Sequence, residues 1–249
     1  MASTTESPLV DGTARRPALV LIVGLLLLRS VLLFLGDGVT YGIVSASGAD
    51  FGAALIYTNV TIVAVDILSV LAVIALLRRD GRTIGDLVGR VRVGVDAAWG
   101  LLVFVIAYLA LLIGTFVGNL IIFQGPPPSS DATLAPPLWL ALWSLIVMPI
   151  TVAVAEELVY RGYAQEHLTA RLGRAGGVLV VAAFFGLQHA ALSATGWDDM
   201  AARVIGTFIA GIAFGLLRVW LKRLSPLIFG HWLLDVIGLG LPMMFAALA

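Results

Sequence analysis

The chain has 249 residues, of which 60% are apolar and 12% charged, and its mean hydropathy is +1.05. Soluble domains carry about 25% charged residues, so this composition excludes a soluble globular protein. Fifteen basic residues offset fifteen acidic ones, which leaves no net charge to attract nucleic acid. The absence of cysteine excludes disulfides and thiolate sites.

Long apolar runs organise the chain. A helix that crosses the hydrocarbon core of a membrane needs about 20 apolar residues. We therefore predict an all-α, polytopic transmembrane bundle. An eighth short or re-entrant segment stays open near 37–53 or 84–95. The seven predicted spans are 18–36, 54–77, 99–123, 138–160, 175–195, 204–221 and 226–248.

The basic residues predict how the bundle is oriented. Cytoplasmic loops carry an excess of Lys and Arg. With seven spans and a cytoplasmic N-terminus, thirteen of the fifteen basic residues fall on the cytoplasmic side, and only Arg29 and Arg203 do not. The linker 124–137 has no basic residue, and its three consecutive prolines place it in water on the opposite side. We expect a multi-pass protein of the cell membrane.

Two charges interrupt the first predicted hairpin. Arg29 in the first span and Asp66 in the second lie at similar distances from the cytoplasmic end. Charges inside a membrane are costly and are usually paired. We therefore predict a structural ion pair between them, and a functional role for either residue stays open.

Two adjacent carboxylates, Glu156 and Glu157, end the fourth predicted span. Arg161 follows Glu157 by four residues, which puts it on the same helix face in the favourable order. Successive helix residues diverge by about 100°, so Glu156 points elsewhere and has no obvious local partner. A carboxylate in an apolar cleft could act as a general base.

Two histidines lie inside later apolar runs. His189 follows Phe185 by one helical turn, and His231 precedes Asp235 by one turn. A carboxylate at that spacing can fix the tautomer of a histidine. For a single intramembrane histidine the alternative is an ordinary hydrogen bond between helices.

The four polar residues together predict a functional site. Glu156, His189, His231 and Asp235 occur on three spans, and each alone would be costly in hydrocarbon. Together they can satisfy one another around a water-filled cavity. If the chain turns at Gly173, the first two meet at similar height. The third histidine, His167, lies in the polar connector and is predicted to be solvated.

The three motifs resemble those of the CAAX-processing and bacteriocin-processing (CPBP, or Abi) family of intramembrane proteases, relatives of the type II CAAX prenyl endopeptidase. The resemblance covers roughly residues 140–240. Asp235 stands where the prenyl-endopeptidase branch favours Asn. The matching motifs are Glu156-Glu157-x-x-x-Arg161, Phe185-x-x-x-His189 and His231-x-x-x-Asp235.

The resemblance implies an endopeptidase that cleaves membrane-associated or prenyl/CAAX-like proteins or peptides at a site open to the cytoplasm. Glu156 would activate a water with help from His189. His231 and Asp235 would stabilise the oxyanion or position the water. Zn²⁺ stays open as a cofactor, because these four residues are all of types that bind zinc. The supporting residues would be Glu157, Arg161 and Phe185.

Two other functions stay open. The same polar cluster could serve binding in a non-catalytic immunity or scaffold protein of the membrane. A proton-coupled transporter ranks last, because the chain shows no internal repeat. The expected partners are a membrane-associated substrate and the lipid bilayer, without nucleic acid. The predicted division is a disordered cytoplasmic N-terminus at 1–17, N-terminal spans and loops at 18–137, and a catalytic transmembrane core at 138–249.

Overall fold

The computed structural model describes residues 18–48, 54–128 and 135–249, and within these ranges it contains helices and no strand. A π-helical segment, Glu157–Ala164, joins α5 to α6, and a second one, Val236–Gly240, joins α8 to α9. The predicted N-terminal region 1–17 lies outside the described residues. The helices are α1 Leu19–Val44, α2 Thr58–Arg79, α3 Ile84–Val88, α4 Val93–Phe123, α5 Leu138–Glu156, α6 Gln165–Gln188, α7 Trp197–Leu221, α8 Ser225–Asp235 and α9 Leu241–Leu248.

Six helical runs in the described ranges are long and apolar enough to cross a membrane, so the predicted polytopic helical bundle is confirmed. The predicted fourth and fifth spans form one run, Leu138–Gln188, which comprises α5, the first π-helical segment and α6. The other five runs are α1, α2, α4, α7 and the segment from α8 to α9. The chain is therefore a multi-pass membrane protein.

The long run is a hairpin that reverses at Gly173. This residue has φ 74° and ψ 173°, a backbone conformation that interrupts the helix and that glycine adopts without strain. On either side of the turn, Gly177 packs against Thr169, and the rings of Tyr160 and Phe185 meet edge to face at 5.4 Å. The seven predicted spans therefore correspond to six helical runs in the described ranges.

Several helices extend beyond their predicted limits because polar residues at their ends find partners inside the bundle. The first helix continues past residue 36 to Val44, and Asp37 accepts a hydrogen bond from the Thr58 hydroxyl at 2.9 Å. The helix predicted from residue 99 begins at Val93, where Asp96 accepts from Ser225 at 2.7 Å and pairs with Arg223. α7 also extends beyond its predicted limit, since it begins at Trp197 rather than at 204, whereas α6 ends at Gln188, before the predicted limit of 195.

The connector between α5 and the turn at Gly173 is covered by the N-terminal half of the chain. The Tyr163 hydroxyl donates to Asp80 at 2.9 Å, and Arg82 forms two hydrogen bonds with Glu166. His167, predicted to be solvated, is only partly exposed and packs against the Tyr163 ring at 4.5 Å. Of the two places predicted for a possible eighth segment, 84–95 holds the five-residue α3 and the first residues of α4.

Small residues let α4 approach the C-terminal helices closely. Gly114 faces the backbone of Gly206, Gly118 faces Ala202, and Gly100 faces the Phe229 ring. The opposite side of α4 exposes large apolar side chains, including Phe116, as expected of a surface in contact with lipid. These contacts bring α7 and α8 against α4 and set the depth of His231 within the bundle.

We expect Gly114→Val to destabilise the protein by about 1–3 kcal/mol, the usual effect of overpacking a well-filled interior. A Cβ at this position would overlap the carbonyl oxygen of Gly206, and backbone cannot move aside as a flexible side chain can. Thermal unfolding in detergent measures the effect. The control is Gly24→Ala, where no atom lies within 4 Å of the new Cβ. Equal melting temperatures for the two variants would contradict the prediction.

Candidate active site

The four predicted catalytic residues line one cavity of about 140 Å³ inside the bundle. Glu156 comes from the end of α5, His189 from the residue after α6, and His231 and Asp235 from α8. The cavity wall is otherwise mostly apolar. The structure thus brings together residues that are up to 79 positions apart in the sequence, between Glu156 and Asp235.

Glu156 is held by an arginine from the first helix. Arg29 Nη2 donates to Glu156 Oε1 at 3.0 Å, while Arg29 Nη1 lies 2.7 Å from Asp66 Oδ1. All three side chains are buried. Arg29 therefore joins the predicted partner Asp66 to the candidate general base. The expectation that Glu156 lacks a partner holds only within its own helix, because tertiary packing supplies one from α1.

Glu157 connects Arg161 to His231. Its Oε1 atom accepts a hydrogen bond from Arg161 Nη1 at 3.2 Å and lies 2.9 Å from His231 Nδ1. On the other edge of the same imidazole, Nε2 lies 3.5 Å from Glu156 Oε2. Adjacent glutamates diverge around the helix axis, and here they contact opposite nitrogens of one ring. Glu157 thus orients His231 from outside the cavity.

Phe185 links the first two motifs. Its ring lies 4.1 Å from the centre of the Arg161 guanidinium, which makes a buried cation–π contact. Its carbonyl oxygen lies 2.7 Å from His189 Nδ1. Because a carbonyl can only accept, Nδ1 carries the hydrogen and a neutral His189 has its lone pair on Nε2. The phenylalanine therefore supports both the arginine and the histidine.

Two carboxylate oxygens beside the cavity have no hydrogen-bond partner among the described residues. They are Glu156 Oε2 and Asp235 Oδ2, which lie 3.5 and 3.8 Å from His231 Nε2. A water molecule takes up about 30 Å³ in the liquid, so the cavity is large enough for one between these polar groups. The two carboxylate oxygens can accept hydrogen bonds from a water molecule, and the His231 ring lies beside them.

Sequence reasoning did not assign Arg203 to the site, although this residue lines the same cavity. Its Nε atom is buried without a hydrogen-bond partner in the part of the chain that the structure describes. A signal was present, because Arg203 and Arg29 are the two basic residues that depart from the cytoplasmic pattern. Both of these exceptions border the site: Arg203 lines the cavity and Arg29 contacts Glu156.

The cavity extends away from the basic connectors. Beyond Glu156 and His231 it is lined by Asn59 at the start of α2, Leu192 after α6 and Arg203 near the start of α7. These positions lie at the end of the bundle that carries the proline-rich linker. On the orientation predicted from the basic residues this is the extracytoplasmic end, which differs from the cytoplasmic opening that we expected.

The residues around the cavity do not converge as the ligands of a zinc ion do. Three or more His, Asp or Glu side chains must converge on one point to hold this ion. Among the described residues, no such group occurs. In this geometry Glu156 is engaged by Arg29, and His231 by Glu157. The side chains as placed therefore do not fit a resident zinc ion, and no step below uses one.

Comparison with known families agrees with the three motifs. Residues 137–237 match the family model described as type II CAAX prenyl endopeptidase Rce1-like. No curated protein and no solved structure matches the chain. The matched segment begins just before α5, ends just after α8 and contains all three motifs. The predicted resemblance is confirmed over residues 137–237, which are similar to the Rce1-like family of type II CAAX prenyl endopeptidases.

Proposed function

We propose that the chain is an endopeptidase of the cell membrane that hydrolyses peptide bonds of membrane-associated proteins or peptides, with prenylated CAAX-like tails as the first substrates to test. One observation carries the proposal. Glu156 is fixed by Arg29 through Oε1, while Oε2 is unpartnered beside a cavity that also contains His189, His231 and Asp235.

In the proposed reaction, Glu156 Oε2 accepts a proton from a water as the water oxygen attacks the peptide carbonyl carbon. The Nε2 lone pair of His189 accepts a hydrogen bond from the same water and aims it. The carbonyl oxygen becomes an oxyanion, and His231, doubly protonated among the carboxylates of Glu156, Glu157 and Asp235, donates Nε2–H to it. Glu156 then returns its proton to the leaving nitrogen as the C–N bond breaks.

Glu157, Arg161 and Phe185 act as positioning residues in this scheme. Glu157 fixes the His231 ring through Nδ1, Arg161 holds Glu157, and Phe185 covers the arginine. Glu157 and Arg161 do not line the cavity, whereas Phe185 forms part of its apolar wall. Substitution of Glu157 or Arg161 is therefore expected to act through the geometry of His231 and not through the loss of a group that touches substrate.

A cleavage assay with the purified full-length chain tests the proposal. The substrates are a prenylated CAAX peptide and the same peptide without the prenyl group, and mass spectrometry identifies the products. We expect cleavage by the wild-type chain and none by the Glu156→Gln/His189→Ala double variant. Equal cleavage by both proteins would show that the activity comes from a contaminant or from other residues. Metal analysis and chelator controls on the same sample address zinc.

The alternative, a non-catalytic binding protein, predicts a different outcome. A cellular function that the Glu156→Gln/His189→Ala double variant fully restores would favour binding over hydrolysis. Loss of that function together with loss of peptide cleavage would support the endopeptidase. Membrane levels of both proteins must be matched by immunoblotting, because a poorly folded variant would mimic a catalytic loss.

A further inference from the structure

A second cavity, about 320 Å³ in volume, opens between α6 and α7 at the cytoplasmic end of the bundle. We call it the basic cleft and define it by Arg174, Arg218 and Lys222. Gln165 and Thr169 also line it, together with Glu166 as the one acidic lining residue. It shares no lining residue with the catalytic cavity.

The basic cleft carries uncompensated positive charge. Glu166 is already engaged by Arg82, at 2.7 and 3.1 Å. Within the described ranges, neither Arg174, Arg218 nor Lys222 forms an ion pair with a carboxylate at 4.0 Å or less. Arg218 donates only from Nε, to the carbonyl oxygen of Arg161. Three cations therefore surround a space that contains no free acid.

Aromatic residues place the basic cleft at the depth of the lipid headgroups. Trp220 is 57% exposed and meets Trp99 edge to face at 5.4 Å. Tryptophans in this position mark the boundary between hydrocarbon and headgroups. Lys222 follows Trp220 by two residues, while the exposed Leu216 lies one turn before it on the hydrocarbon side. The same stretch of α7 thus offers charge at the headgroup level and apolar surface below it.

We propose that the basic cleft binds the phosphate group of an anionic phospholipid from the cytoplasmic leaflet. The guanidinium groups of Arg174 and Arg218 suit the paired oxygens of a phosphate, and Lys222 adds a third charge. The Thr169 hydroxyl supplies a neutral donor, and the acyl chains run along Leu216 and Val219. Basic pockets between helices on the cytoplasmic side are suited to such headgroups.

The cleft lies directly behind the candidate active site. Arg161 lines it, and the same side chain bonds Glu157, which contacts His231. A bound lipid phosphate would add negative charge at the outer end of this chain of contacts. The proposal concerns lipid binding alone and does not depend on peptidase activity.

Native mass spectrometry of the full-length chain tests the proposal with phosphatidylglycerol and phosphatidylcholine as probes. The test variant is Arg174→Gln/Lys222→Gln, because both residues are exposed and neither belongs to the catalytic site. The matched control is Arg78→Gln/Arg79→Gln, which removes two charges from the same face outside the cleft. We expect the test variant to bind phosphatidylglycerol about 25-fold more weakly, and the control to change less than about twofold.

Three results would overturn the proposal. The first is equal binding of phosphatidylglycerol and phosphatidylcholine by the wild-type chain. The second is an equal loss of binding in the two variants, which would indicate attraction to the whole basic face. The third is displacement of the lipid by millimolar inorganic phosphate that binds as tightly as the lipid does. That result would identify a free anion as the ligand. Near-wild-type melting temperatures for both variants establish that they fold.

Discussion

Glu156→Gln is expected to lower kcat for peptide cleavage by about 10²–10⁴-fold, the range for loss of a general base. The amide oxygen of glutamine can still accept the hydrogen bond from Arg29, so the side chain keeps its place. It cannot take a proton from water at any accessible pH. KM should change little, because the substitution removes a reacting group and not a large binding surface.

Glu157→Gln is the matched control for this prediction. It makes the same chemical change one residue away, at a side chain that is fully buried and bonded to Arg161 and His231. We expect a lower melting temperature and a smaller loss of kcat. Full turnover by the Glu156→Gln variant would refute the general-base role. Equal losses in both variants, with equal unfolding, would mean that the glutamates act only in folding.

Arg29→Met is expected to destabilise the protein by about 3–5 kcal/mol, the usual effect of removing one partner from a buried ion pair. The substitution leaves Asp66 and Glu156 buried without the cation that both contact. Thermal or denaturant unfolding in detergent measures the change. Arg82→Met is the control, since the Arg82–Glu166 pair is partly exposed and such pairs contribute about 0–1 kcal/mol.

A double-mutant cycle identifies which contact accounts for the stability lost in Arg29→Met. Asp66→Asn removes one of the two carboxylates, so Arg29→Met should be less destabilising in that background than in the wild type. If the two substitutions are instead additive, the Arg29–Asp66 contact makes no net contribution. A melting temperature for Arg29→Met equal to that of Arg82→Met would contradict the buried network itself.

Much of the fold follows from patterns that are local in the sequence. Apolar length identifies the spans, and the conformational freedom of Gly173 makes a turn in the long run plausible. Helix limits are less predictable, since Asp37 and Asp96 look like residues that should end a span. Each instead has a partner on another helix, Thr58 and Ser225 respectively, which only the packed structure reveals.

At the site, too, contacts between neighbours in the sequence are predictable and contacts between distant residues are not. Helical spacing explains why Arg161 contacts Glu157, because the two are one turn apart. No spacing rule pairs Arg29 with Glu156, which lies 127 residues later. Nor does periodicity reveal that the helix changes to π-helical geometry after Glu156. The chemical types at the site were therefore readable from the sequence, but the contacts among them were not.

The contact between Arg29 and Glu156 means that the segment matched by the family model is not a complete site without α1. The family match begins at residue 137, so it includes the candidate base and leaves out the arginine that pairs with it. A chimaera that grafted residues 137–237 onto foreign helices would carry the acid without its counter-ion. Such a graft needs a host helix that supplies a guanidinium at the same depth. In this chain the shortest segment that supplies Arg29 together with Asp66 consists of α1 and α2.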